Sequence, residues 1–170
     1  PGIMLSSAIK KYADYYGVAC GKKNIFFTNN DTAYESAISL FNKGIKVEAI
    51  IDIREKSDST IVKEAKNLGI KIYWSHTVVN TNGYKRLKQI SIMQLSKDGQ
   101  SFSGQKKTML ECDCLGVAGG WTPAVHLFTQ SGGKLKFREE DQVFIPNKYP
   151  SKQISIGSCN GDFELDKIIK

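Results

Sequence analysis

The sequence predicts an α/β fold: a Rossmann-like three-layer domain with a parallel sheet and an antiparallel β-meander. Three observations carry this. Strand and helix patterns alternate as β-α-β-α-β from Asn24 to Trp74. The two helix exits read alike, Gly44-Ile45-Lys46-Val47 and Gly69-Ile70-Lys71-Ile72, each a glycine cap feeding a β-branched strand. Between His76 and Cys112 the helical period gives way to alternating runs such as Leu87-Lys88-Gln89-Ile90-Ser91-Ile92, punctuated by Asn82-Gly83 and Asp98-Gly99.

Taken in order, residues 3–16 place Ile3, Met4, Ala8, Ile9, Tyr12, Ala13 and Tyr16 at helical spacing, and Gly17 fits the end of that helix. Tyr12, Tyr15 and Tyr16 read as a packing face. Asn24 to Thr28 is a short apolar strand. Asn30 or Asp31 can cap the next helix, Thr32 and Glu35 have capping-box spacing, and Ala33, Ala37, Ile38 and Phe41 form its inner face. Ile45 to Ile51 is a strand apolar enough to be covered on both faces. Ser59 caps a second helix with Ile61, Ala65 and Leu68 inward, and Ile70 to Trp74 is the third strand. After the meander comes a strand at Cys114–Ala118, the turn Gly119-Gly120-Trp121-Thr122-Pro123, and a short helix from Ala124 to about Thr129. Gln142 to Pro150 looks like loop or edge strand. Ile154-Ser155-Ile156 reads as a strand, with Gly157-Ser158-Cys159-Asn160-Gly161 opening a helix that runs to Lys170. Such a turn is a ready anion site. The organisation expected is a leading helix and linker over 1–19, the Rossmann-like domain over 20–150, and a strand-turn-helix over 151–170.

Composition excludes several classes. The 170 residues carry a net charge of +7, but the basic residues scatter over turns as Lys22-Lys23, Lys85-Arg86-Lys88, Lys106-Lys107 and Lys134-Lys136-Arg138. They form no stripe interleaved with aromatics, so nucleic-acid binding is not expected. No apolar run approaches the roughly 18 residues of a membrane span, and no membrane association is expected. The start at Pro1 reads as a fragment or processed chain. Four cysteines without a Cys-x-x-Cys pair suit reduced, cytoplasmic thiols. Cys112 and Cys114 fall on one strand face, and no zinc-like spacing joins them to His76 or His126.

The first strand–helix turn is where a dinucleotide fold places three glycines, for the turn itself, for pyrophosphate approach and for close packing. Here those places hold Thr28, Asn30 and Ala33. Ala33 suits close packing. Asn30 occupies phosphate space, and Asp31 as a cap uses the free N–H groups and adds a negative charge. Asp52, about 20 residues on, is where a ribose acceptor would stand. The reading favoured is a strand-end Asp paired with Arg54. Gly119 and Gly120 allow close backbone approach, Trp121 is read as packing, and neither His76 nor His126 has the neighbours of a catalytic histidine.

These residues are specific enough to carry a resemblance. Asn24 to Tyr34 and Gly119 to Lys134, with the opening Pro1-Gly2-Ile3-Met4-Leu5, resemble the second nucleotide-fold segment of the α subunit of heterotetrameric sarcosine oxidase. More distantly the pattern resembles two-dinucleotide-fold flavoprotein reductases. The resemblance implies an enzyme that demethylates sarcosine oxidatively to glycine and hydrogen peroxide, with folate able to accept the one-carbon unit. It implies flavins and amine oxidation on the partner sarcosine oxidase subunits and their interface. It implies NAD on the α subunit, held mostly by an upstream domain, with none bound tightly by this segment. By place in the motif, the cofactor contacts in this chain fall on Gly157, Ser158, Phe163 and Leu165. This segment is then non-catalytic. The alternative is the NAD(P)H-binding domain of a disulfide-reductase-like flavoprotein, and the missing Cys-x-x-Cys and Gly-x-Gly-x-x-Gly weigh against it. A purely structural or subunit-contact module overlaps the first reading.

Overall fold

The computed structural model describes residues 1–139, 143–150, 152–163 and 165–169; the side chains of residues 165 and 167 are not described. Two compact units divide the chain, Pro1–Gly120 and Trp121–Lys170.

The first unit is the Rossmann-like domain. Its parallel sheet has the order β1-β8-β2-β3-β4, from β1 (Ile3–Leu5), β2 (Asn24–Thr28), β3 (Val47–Asp52), β4 (Ile72–Trp74) and β8 (Cys114–Ala118). Helices α1 (Ser6–Tyr16), α2 (Thr32–Asn42) and α3 (Thr60–Asn67) connect β1 to β2, β2 to β3 and β3 to β4. The meander β5 (His76–Asn82), β6 (Gln89–Gln94) and β7 (Thr108–Glu111) pairs antiparallel throughout.

Strand side chains alternate between two cores, as the pleat requires. Phe26, Ile50, Cys114 and Ala118 face a cluster shared with Ile9, Ala13, Ala33, Tyr34, Val62 and Ala65 of the helices. Ile25, Ile51 and Leu115 face a second cluster completed by Leu87, Ile90, Ile92 and Cys112. The three layers are therefore helices, parallel sheet and meander. Each fully buried Ile or Phe contributes about 1.5–3 kcal/mol by leaving water. Gly116 has a packing reason: a Cβ there would stand 2.7 Å from the Phe26 ring and 3.0 Å from Ile9, so only glycine lets α1 lie close on β8.

The matched helix exits have a common geometry. Gly44 (φ 72°) and Gly69 (φ 77°) are left-handed. Gly44 N–H bonds the Phe41 carbonyl and Ile45 N–H that of Leu40, while Gly69 and Ile70 bond those of Lys66 and Ala65. These paired bonds are the Schellman pattern. Because Ile45 and Ile70 are used in it, β3 and β4 start two residues later than the apolar pattern suggests.

Other expectations are corrected. The helix expected from residue 3 begins at Ser6, because Ile3–Leu5 pair with Leu115–Val117 as an edge strand. Sheet hydrogen bonds claim that backbone although its side chains continue the helical spacing. In α1 the inward residues are Ser6, Ile9 and Ala13, while Tyr12, Tyr15 and Tyr16 are 44%, 80% and 64% exposed and tilt against one another. In α2, Tyr34 and Leu40 are buried while Phe41 is 39% exposed; in α3, Val62 replaces Ile61 at the fully buried place. Cys112 and Cys114 fall in opposite cores, because the chain turns over between β7 and β8 instead of continuing as one strand.

The second unit holds α4 (His126–Gln130), a hairpin of β9 (Lys134–Arg138) with β10 (Val143–Lys148), a 3-10 turn (Gly157–Asn160) and α5 (Leu165–Ile168). The edge strand read between 142 and 150 is thus half of a hairpin, and position 142 lies outside the described residues. Ile154–Ile156 form no strand, and no continuous helix follows Gly157. Gly161, left-handed at φ 81°, ends the turn by donating to the Ser158 carbonyl.

Candidate functional site

From β2 the sheet grows one way through β3 and β4, and the chain later returns to β8 on the other side. The crevice outside the carboxyl ends of β2 and β8 is where open α/β sheets bind ligands. Its residues are the loop Thr28–Asp31 and the exit Ala118–Gly120.

The loop's polar groups are spent on one another. Thr28 Oγ1 donates to the Asn30 carbonyl at 2.8 Å and accepts from Asn30 N–H at 3.1 Å. Asn30 Oδ1 accepts from Thr32 N–H at 2.9 Å and from Thr32 Oγ1 at 2.6 Å. Tyr34 N–H goes to the Asp31 carbonyl. Asn30 Nδ2 donates to Asn29 Oδ1 at 2.6 Å and reaches the Ala118 carbonyl at 3.5 Å, and Asn29 Nδ2 donates to the Gly119 carbonyl at 3.3 Å. Two carboxamides thus tie the end of β2 to the end of β8 across the crevice. A pyrophosphate needs free N–H donors at the start of α2. Those of Asn30, Thr32 and Tyr34 are already bonded within the loop. Asp31 holds the N-cap position but its side chain makes no cap bond; the bond to Thr32 N–H comes from Asn30, one residue earlier.

Asp31 turns to Arg54 instead, 2.8 Å from its Nη2. The same guanidinium binds Asp52 through Nε at 3.0 Å and Nη2 at 2.7 Å, and Asp52 Oδ1 also accepts from Arg54 N–H at 3.0 Å. Tyr34 OH donates to Asp52 Oδ2 at 2.8 Å. Asp52 is wholly buried. With both oxygens engaged and no exposed surface, it is a structural anchor and not a ribose acceptor. Burial, and then the Asp52 carboxylate, hold the Tyr34 phenol well above its ordinary pKa. Burial works against the Arg54 cation, but its bonds to Asp52 and Asp31 outweigh that and raise its pKa. Arg54 therefore stays a cation and Tyr34 a neutral donor throughout the ordinary pH range. Sequence reading placed Asp52 with Arg54 but missed Tyr34 and the link to Asp31. The i, i+3, i+4 spacing of Tyr34, Ala37 and Ile38 was the signal for Tyr34.

Gly120 (φ 90°) passes close over the asparagines, its Cβ position lying 3.6 Å from Asn30 Nδ2. Trp121 is 60% exposed. In the second unit Gly157 is left-handed at φ 60°, Ser158 and Phe163 are exposed, and Leu165 begins α5. Among the described residues no three His, Cys, Asp or Glu side chains gather as metal ligands, and no helix is long and apolar enough to cross a membrane. The four cysteines are free thiols.

No family model matches the chain. A relative from Corynebacterium sp. (strain P-1) named sarcosine oxidase subunit alpha is 34% identical over 166 residues, covering 96% of this chain. The chain is similar to one segment of sarcosine oxidase α subunits. A subunit of the same name from Rhizobium meliloti (strain 1021) is 30% identical over 166 residues, covering 94% of the chain. The chain spans only 17% and 15% of the length of these two α subunits. Among solved structures, the thioredoxin reductase of T. acidophilum matches with a TM-score of 0.60 at 17% identity, covering 94% of this chain and 52% of that one. An FAD-dependent pyridine nucleotide-disulphide oxidoreductase from Desulfovibrio vulgaris matches at 0.55 and 13% identity, covering 88% and 44%. At such identities these two likenesses show the Rossmann-like fold alone.

Proposed function

We propose that this chain is the Rossmann-like module of a sarcosine oxidase α subunit, kept as architecture and not as a dinucleotide cradle. The carrying observation is the pair Asn29 and Asn30, whose carboxamides join β2 to β8 where a pyrophosphate would lie. The parent enzyme would demethylate sarcosine oxidatively to glycine and hydrogen peroxide, its flavins and amine chemistry residing with partner subunits. This segment carries no reacting group. Its contribution to an NAD site held elsewhere in the subunit would come from Gly157, Ser158, Phe163 and Leu165, mainly through backbone groups.

Calorimetric titration of the chain with NAD, NADH and NADPH tests this. The expected result is no saturable binding, and no peroxide from chain plus sarcosine. Micromolar binding abolished by Asp52→Ala would overturn it. Binding gained on replacing Asn29 and Asn30 together with glycine would support the carboxamides as what closes the crevice.

A further inference from the structure

One place at the carboxyl end of the sheet is built differently from the closed crevice. Between β4 and β5 stands Ser75 at φ 53°, a left-handed residue that is not glycine. Such strain persists only where its surroundings enforce it. Here Ser75 N–H is bonded to the Arg54 carbonyl at 2.9 Å and its own carbonyl accepts Leu95 N–H at 2.6 Å. The consequence falls on His76. Its Nδ1 lies 2.5 Å from the Trp74 carbonyl, and its ring meets Tyr73 edge-on at 5.6 Å. A carbonyl only accepts, so Nδ1 donates to it, and Nε2 is the ring nitrogen with no partner among the described residues.

His76 lines a cavity of about 240 Å³ with Gln94, Ser103, Gly104, Lys106 and Thr108. The lining residues carry an ammonium, an imidazole, a carboxamide and two hydroxyls, and none is a carboxylate. Among the described residues Lys106 makes no ion pair. The loop leading to Lys106 is held as far as Ser103. Leu95 bridges Phe102, Ser96 N–H bonds the Ser101 carbonyl at 2.9 Å, and Ser103 N–H bonds the Gln94 carbonyl at 3.0 Å. The one nearby acid of that loop, Asp98, is occupied by Ser96 and by Gln100 N–H.

We infer that this cavity binds a phosphate group, with Lys106 as its charge partner and His76, Gln94, Ser103 and Thr108 as hydrogen-bond partners. A lone ammonium with neutral donors and no acid selects an anion. A phosphate group can also pair with Nε2 of His76. The volume is below the roughly 300 Å³ at which small-molecule pockets begin, so it admits a phosphate group and not a dinucleotide.

The test is an NMR titration of the chain at constant ionic strength, following backbone amides and the His76 ring nitrogens, with inorganic phosphate in one arm and adenosine 5′-monophosphate in the other. Saturable shifts confined to residues 76, 94 and 103–108 are expected in at least one arm, and the arm with the lower Kd identifies the source, free ion or nucleotide. Lys106→Gln, an exposed position, should weaken that binding roughly tenfold, the worth of a charged hydrogen bond. Lys85→Gln, in the other basic turn of the meander, should leave it unchanged. Shifts that fail to saturate in both arms, or equal loss in both variants, would overturn the proposal by reducing it to general charge.

Discussion

At the residue scale the decisive groups are a few polar side chains that satisfy each other. Asp52 shows how burial and hydrogen bonding together remove a residue from ligand chemistry. Replacing it with alanine leaves the Arg54 guanidinium and the Tyr34 hydroxyl without their partner, and breaking such a buried pair costs about 3 kcal/mol or more. The expected outcome of Asp52→Ala is a urea midpoint lowered accordingly; an unchanged midpoint would show that the network is not an anchor. The thiols make a second case. Burial pushes Cys112 up to about 11 and Cys114 up to about 12, from an ordinary 9.0. Both thiols are therefore protonated in the folded chain while the unfolded chain ionises from about pH 9. The unfolded state loses protons first, so stability is full below pH 9 and falls as pH rises toward those raised values. Under native conditions near neutrality, a thiol reagent should label exposed Cys159 first and leave Cys112 and Cys114 unmodified until denaturant is added. Equal labelling rates for all four, read by mass spectrometry, would contradict the burial.

At the element scale, helix ends and helix contacts set the geometry. A Cβ at Gly44 or Gly69 meets nothing within 4 Å, so alanine there costs only the left-handed backbone, about 1 kcal/mol. Gly116→Ala differs in kind, since its Cβ would meet Phe26 and Ile9 and overpack the seat of α1. Overpacking costs roughly 1–3 kcal/mol. Comparing denaturation midpoints of the three variants separates backbone strain from steric conflict, and Gly116→Ala is expected to be the most damaging. The α1–α2 contact also has a polar clasp: Asp14 accepts from Ser39 at 2.7 Å and pairs with Lys10 at 3.1 Å and Lys43 at 3.3 Å. These bonds, Ser39 first, lower its carboxyl to about 2. Their contribution is present above pH 3.8 and is lost as pH falls toward 2. Because the group is exposed, salt should weaken the clasp.

At the scale of the whole molecule, the two apolar clusters of the sheet draw, among the described residues, on Pro1–Gly120. The chain cut after Gly120 is expected to keep a cooperative urea transition. Non-cooperative unfolding of that piece would show that its cores depend on the remainder. The architecture was legible because the helical and strand periods change cleanly along the sequence. The pairing of Ile3–Leu5 was not, since three residues before a helix carry no periodicity that separates strand from first turn. The hairpin of β9 and β10 was half seen, as its first strand, Lys-Leu-Lys-Phe-Arg, is too charged to stand out. The glycine-poor loop was visible as a defect in a phosphate cradle. That its asparagines reach Ala118 and Gly119, some 90 residues on, was beyond any local reading.

The sequence by itself determined the α/β order, the glycine helix exits, the meander and the absence of a working glycine fingerprint, because each is a local matter of period, cap and turn chemistry. Only the tertiary structure decided what the defect means. It placed the end of β8 beside the loop so that two carboxamides span the crevice, and it packed Tyr34 against Asp52 so that the acid is sealed. It also set His76 and Lys106 around one cavity. Those outcomes depend on which strands become neighbours, and strand neighbours far apart in sequence are chosen by the burial of two cores together, not by any residue's own preference.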